Sequence, residues 1–234
     1  NMLLDEMSSK EFQERVKEDS VVIVPIGAVE EHGPHLPLCT DSIQPEYVAS
    51  EVAQRMGAFV APPIRYGNCS TTRNFPGTIS VSFDTMRSLA YDVVSELTRN
   101  GFKHVVLLSG HAGSLHMAAL RLAAKKVVDE RDVNVMVVSG YEILYRSDNV
   151  EEGDGHSGLM ETSRVLAIRP DLVKSERPKG ESRIPKYQVL RNPEKYWEGV
   201  SGDSANATIE KGREYNDFVI DELCRTIEGM RGSG

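Results

Sequence analysis

No apolar run in the 234 residues approaches ~18, so no membrane-spanning helix is expected. No signal peptide is expected ahead of the first strand, and Asn1 before Met2 reads as an appended residue. There is no excess of basic charge. Lys and Arg number 27 against 35 Asp and Glu, a net charge of −8, which argues against a nucleic-acid binder. The three cysteines, Cys39, Cys69 and Cys224, show no CxxC spacing and cannot all pair, so a reducing cytoplasm is the simpler home. A glycine-rich phosphate loop is missing, as are internal repeats and low-complexity segments. Tryptophan occurs once, at Trp197.

What the chain does have is concentrated in one loop. The apolar run Val21 to Val24 reads as a short buried strand. After it, Glu30, Glu31, His32, His35 and Asp41 crowd a Gly/Pro-rich segment. A loop that only turned the chain would not need so many donors. Carboxylate with imidazole is a ligand set for zinc, manganese or iron.

The rest alternates helix and strand. Ser8-Ser9 could cap a helix to about Glu18. Strands are expected at Val21–Ile26, Ala58–Pro62, Thr78–Val81, His104–Ser109 and Val133–Ser139. Helices are expected from Asp41 to Gly57, from an Asp84 cap to Asn100-Gly101, from Gly110 to about Arg131, from Gly158 to about Ile168, and over Ala205–Met230. Residues 171–200 hold several prolines and read as a long excursion. This order argues for a parallel sheet with helices on both faces, in one domain over residues 1–234. Sites in such sheets form at the carboxyl ends of strands. The loops 27–41 and 109–113 both leave that edge, which brings Glu30, His32, Asp41 and His111 together.

Glu30 and His32 are two residues apart, so in an extended segment they point the same way. Asp41 could bridge two ions. His111 lies between small neighbours and can approach an ion closely. His156 and Glu161 flank the start of a helix and could supply a proton donor and a ligand. Taken singly, each has a plainer reading. Asp41 reads as an N-cap, Glu161 as a capping glutamate and His111 as a turn residue. Glu31 reads as solvated or as a neighbour of a ligand, and His35 as a holder of a ligand. His104 and His116 read as structural, Cys39 as a small buried residue, and Trp197 as packing rather than substrate stacking.

The segments Gly27-Ala-Val-Glu30-Glu31-His32-Gly-Pro-His35, Asp41, Asn74-Phe-Pro-Gly-Thr78, Gly110-His111-Ala-Gly113 and Gly155-His156-Ser-Gly-Leu-Met-Glu161 together resemble the creatininase (creatinine amidohydrolase) family. Gly199-Val-Ser-Gly-Asp203 and Ala207-Thr208-Ile-Glu-Lys-Gly212 resemble its C-terminal signature. The resemblance implies a three-layer α/β/α sandwich with a mainly parallel sheet, two divalent metal ions and hydrolysis of amide-type C–N bonds of a small molecule. It also implies a homo-oligomer, in many members a hexamer. Glu30, His32, Asp41 and His111 are its implied metal ligands, with Asp41 bridging, and His156 its catalytic histidine. The chain departs from the pattern at Gly113, where the family has glutamate, at Ser157, where alanine is usual, and in its single tryptophan. Glu161 is the chemical candidate for the missing ligand. Family branches that cleave formamides or a modified precursor peptide are the alternatives, with a non-catalytic binding protein behind them.

Overall fold

A computed structural model describes residues 2–147, 149–185 and 187–232; Asn1, read from the sequence as appended, lies outside them. Its centre is a five-stranded parallel sheet in the order β1-β3-β2-β4-β5. The strands are β1 (Met2–Leu3), β2 (Val21–Ile26), β3 (Phe59–Val60), β4 (His104–Ser109) and β5 (Asn134–Ser139). Strands buried on both faces read as continuous apolar runs, and β2 and β4 are buried along their whole length.

Period-two alternation divides each strand between two cores. Val21, Ile23, Val106 and Leu108 face one cluster, with Val48, Val52, Leu144, Leu159 and Val219. Val22, Val24, Ile26, Val105 and Leu107 face the other, with Met86, Val94, Met117 and Leu120. Helices α2 (Thr40–Met56), α5 (Gly140–Tyr145), α6 (Leu159–Ile168) and α7 (Ile209–Arg231) supply the first layer. Helices α1 (Ser9–Arg15), α3 (Phe83–Arg99) and α4 (Ser114–Glu130) lie with the second. The arrangement is the expected three-layer sandwich.

Local chemistry sets the helix ends. Ser8 and Glu11 form a capping box, and so do Ser139 and Glu142. Ser82, rather than Asp84, caps α3, its hydroxyl accepting from the Thr85 N–H. Asp84 lies inside the first turn, where its charge suits the helix dipole. The last helix starts at Ile209 under a Thr208 cap, preceded by a 3-10 turn at Ser204–Asn206.

Other expectations are corrected. The Thr78–Val81 stretch makes only an isolated bridge, Ile79 to Val29. Ala58–Pro62 shortens to two strand residues. Strand β1, helix α5 and the small antiparallel pair β6 (Lys179–Gly180) with β7 (Gly202–Asp203) are additions. Cys39 is exposed, not buried, because it precedes α2 at the surface turn. Helix α2 also accommodates Pro45, whose nitrogen cannot donate to the Asp41 carbonyl one turn back.

Candidate active site

Parallel register aligns three strand ends. Ile26 pairs with Ser109, and Ser109 with Ser139. The three segments that leave there carry Glu30 and His32, His111, and Tyr141. Helix α2 begins beside them and presents Asp41 in its first turn. Gly110 allows this approach. A Cβ there would lie 2.6 Å from the Pro45 Cδ and collide with the Asp41 carbonyl oxygen. Helix α6 brings Glu161 from the other side.

The six residues meet. Asp41 Oδ1 lies 3.1 Å from His32 Nε2, and Asp41 Oδ2 lies 3.1 Å from His111 Nδ1. Glu30 Oε2 is 2.8 Å from His111 Nδ1, and Glu161 Oε1 is 3.4 Å from His32 Nε2. One carboxylate therefore faces two imidazoles, with a further carboxylate on each side. These five and Tyr141 are all buried. Among the described residues, His32 and His111 are the only ion-pair partners of the three carboxylates.

Each imidazole is turned by its far nitrogen. His32 Nδ1 donates to the Glu30 carbonyl at 3.1 Å, and His111 Nε2 donates to the Asn68 carbonyl at 3.0 Å. A carbonyl can only accept, so the hydrogen sits on those nitrogens. With the far nitrogens so held, a bound cation would find lone pairs on His32 Nε2 and His111 Nδ1. His32 Nε2, Glu30 Oε2 and Asp41 Oδ2 are buried without a hydrogen bond despite these short contacts. Buried donor atoms that converge with their hydrogen bonds unsatisfied are the expected form of a cation site.

Donor atoms of His32, Asp41 and Glu161 lie within 4.8 Å of one another, as do those of Glu30, Cys69 and His111. Cys69 is a poor donor, since burial and then the Glu30 and Asp41 charges push its thiol up. Asp41 completes the His111 side better.

Charges follow the geometry. Burial alone would lower the His32 and His111 pKa values; Asp41 and Glu161 override it at His32, and Glu30 and Asp41 at His111, and both rise. Burial would raise Asp41 and Glu161, but His32 outweighs it. Asp41 falls well below the carboxylate range, and Glu161 falls to about 2.

His156 sits above this group, its ring 4.3 Å from that of His32. Ser157 follows it in the left-handed region at φ 57°. Its N–H donates to Glu161 Oε2 at 2.7 Å. Asp154 accepts from Leu159 and Met160 at the start of α6. Glu30, Asp41, Thr72, His111, Tyr141, His156 and Trp197 line a cavity of about 220 Å³.

The plainer readings are sorted by these contacts. Asp41 is not the cap of α2; Cys39 holds that position without a side-chain bond. Glu31 is buried rather than solvated. Among the described residues, His35 Nε2 is bonded to Thr162 Oγ1 at 2.9 Å and not to a candidate ligand. His116 is structural, joining the Asn68 N–H to Ser109 Oγ. Trp197 packs on Phe75 and walls the cavity as well. Glu161 joins the His32 side, and Gly113 abuts the His111 ring.

Four supporting residues went unread. Thr72 Oγ1 donates to Glu30, Asn68 orients His111, Gln44 donates to Glu161 Oε1 at 3.2 Å, and the Tyr141 hydroxyl bonds Glu161. Tyr141 had a signal, since it follows a third aligned strand end. Thr72 and Asn68 had none beyond lying in a polar loop.

An α/β sandwich whose parallel strands end at buried carboxylates and imidazoles has the donor set of a divalent-cation site. The sequence profile of the creatininase family, described as creatinine amidohydrolase, matches residues 5–227. The chain belongs to the creatininase family and is an amidohydrolase of it. It is 31% identical to the creatinine amidohydrolase of Pseudomonas putida, over 98% of this chain and 95% of that one. It is 30% identical to the mycofactocin precursor peptide peptidase of Mycobacterium ulcerans (strain Agy99), over 88% and 84%. A solved manganese creatininase superposes with a TM-score of 0.84 at 28% identity, over 98% of this chain and 99% of that one. A mutant creatininase of Zn–Zn type superposes at 0.85, also at 28% identity, over 98% of both.

Proposed function

We propose that this chain hydrolyses a small non-peptide or cyclic amide with two divalent ions, zinc, manganese or iron. Glu30, Asp41 and His111 would hold one, and His32, Asp41 and Glu161 the other, with Asp41 shared. The observation that carries this is the pair of imidazoles pinned by backbone carbonyls on either side of one carboxylate. Bound there, such ions would lower the pKa of a bound water toward neutrality and polarise a carbonyl oxygen. His156 takes the proton from the attacking water and passes it to the leaving nitrogen. Trp197 and Tyr141 limit the space around the amide and keep bulk water out.

A cavity of about 220 Å³ supports a small substrate, since drug-sized sites run from roughly 300 to 1,000 Å³. Cleavage of a formamide or of a precursor peptide is the second reading. The 30% identity to the peptidase and the groove of about 920 Å³ beside Trp197 favour its peptide form. Elemental analysis of freshly purified protein, then assay against creatinine, simple formamides and small peptides, tests both readings. Two ions per chain with turnover of a small amide is the expected result. No bound metal and no hydrolysis of any amide would refute it.

The chain is read as one domain over residues 1–234, assembling as a homo-oligomer, up to a hexamer. The partly exposed edge strand β5, beside Ile143 and Phe218, supports assembly. Sedimentation velocity tests it. Three free cysteines fit a cytoplasmic home. No helix among the described residues is long and apolar enough to cross a membrane.

A further inference from the structure

Glu31 lies between two of the proposed ligands and is not one itself. It is only 7% exposed. Its Oε2 accepts from the Gly33 N–H at 2.9 Å, and its Oε1 lies 3.4 Å from His156 Nε2 with no hydrogen bond of its own. The backbone carbonyl of the same residue is 2.8 Å from that nitrogen. Two oxygens of one residue thus face one ring nitrogen of His156.

The carbonyl decides the tautomer. It can only accept, so His156 Nε2 carries the hydrogen. Among the described residues, Nδ1 makes no hydrogen bond, and His156 lines the cavity. Holding one imidazole nitrogen leaves the other to do chemistry, and a carboxylate beside the held nitrogen favours the imidazolium.

The C-terminal segment holds both partners. The Ser201 N–H donates to the His156 carbonyl at 2.8 Å. Gly199, at φ +79°, packs against the Glu31 carboxylate, and a Cβ there would lie 2.7 Å from Oε1 and collide with Oε2. This is a physical reason for a glycine in Gly199-Val-Ser-Gly.

We propose that Glu31 is the positioning residue of His156. Its carbonyl fixes Nε2–H, and its carboxylate, anchored on the Gly33 N–H, holds the ring in place, so that Nδ1 takes the proton from the attacking water and returns it to the amide nitrogen as the C–N bond breaks. The ring is imidazolium between those two steps and neutral after them. The proposal rests on His156 being the proton carrier.

Long-range ¹⁵N correlation NMR of histidine-labelled, zinc-loaded protein reads the tautomer directly. The expected wild-type signal is His156 protonated at Nε2 and free at Nδ1. Glu31→Ala leaves the carbonyl in place, so it should keep its zinc, its KM within about twofold and the Nε2–H tautomer, while kcat falls roughly 10–100-fold and the His156 ring signals broaden as the ring loses its carboxylate stop. Glu31→Gln should recover part of kcat. Gly199→Ala, which removes no acid but displaces the Glu31 carboxylate, should reproduce that broadening. A wild-type Nδ1–H tautomer would overturn the proposal, and so would an unchanged kcat in Glu31→Ala. Loss of zinc in step with kcat would show a structural role instead. If His156→Ala turned over like wild type, the proton-carrier reading itself would fall, whichever tautomer the wild type showed.

Discussion

The chain buries two kinds of imidazole within a few residues of each other. His32 and His111 lie among carboxylates, while His35 and His116 lie among hydroxyls and backbone. All four are buried. Their titration nevertheless diverges. The first pair is driven well above the ordinary value, whereas burial lowers His35 to about 4 and His116 to about 3. Burial therefore says nothing about which histidine does chemistry. The difference lies in what the near nitrogen faces once the far one is held. Where it faces carboxylates it competes for a cation; where it faces a hydroxyl it completes a packing network.

The strongest attempt to break this contrast removes the group that both ligand-type imidazoles share. Asp41→Ala should abolish metal loading and activity together, as read by elemental analysis and turnover. A variant with full metal content and full turnover would end the shared-carboxylate reading. Next in size is His156→Ala. It should retain its metals and turn over roughly 10²–10⁴-fold more slowly. Unchanged turnover would remove His156 from the mechanism.

A third experiment asks whether the pairs titrate in opposite directions in chelator-treated protein. His35 and His116 have folded pKa values below the unfolded one, so their stabilisation is complete above about pH 6.5 and is lost as pH falls. Between pH 6.5 and 5 the loss is roughly 2 kcal/mol for each. His32 and His111 act with the other sign: their contribution is present below about pH 6.5 and fades as pH rises through their raised values. Urea midpoints should therefore show His35→Gln flattening the acid loss and His32→Gln steepening it. Equal slopes in the two variants would erase the distinction. The smallest effect belongs to His116→Gln. It should cost about 1 kcal/mol of stability and leave metal content unchanged. Loss of metal would promote His116 to the first group.

Much of the architecture was legible because the apolar runs at 21–26 and 104–109 are long enough to specify buried strands, and each is followed by a helix. The donor set was legible because Glu30, His32 and Asp41 share one loop and His111 follows a strand that a parallel sheet sets beside it. Burial of Glu31 was not readable, since it depends on Gly199, far along the chain. The same holds for Glu161. Its position in the first turn of α6 could be inferred, but not which imidazole it would meet. Cys39 misled because a small thiol gives no sign of the surface turn that exposes it. Short pieces such as β1 carry too few residues to show a period at all.

Helix α2 joins two jobs at one proline. Asp41 lies before Pro45, and Val48 and Val52 lie after it in the core. With one rung of the helix ladder missing between them, the opening turn is mechanically softer than the part anchored beneath the sheet. In the proposed two-ion site, Asp41 would follow cations of different radius by small tilts of that turn, without disturbing the packing that keeps the molecule folded.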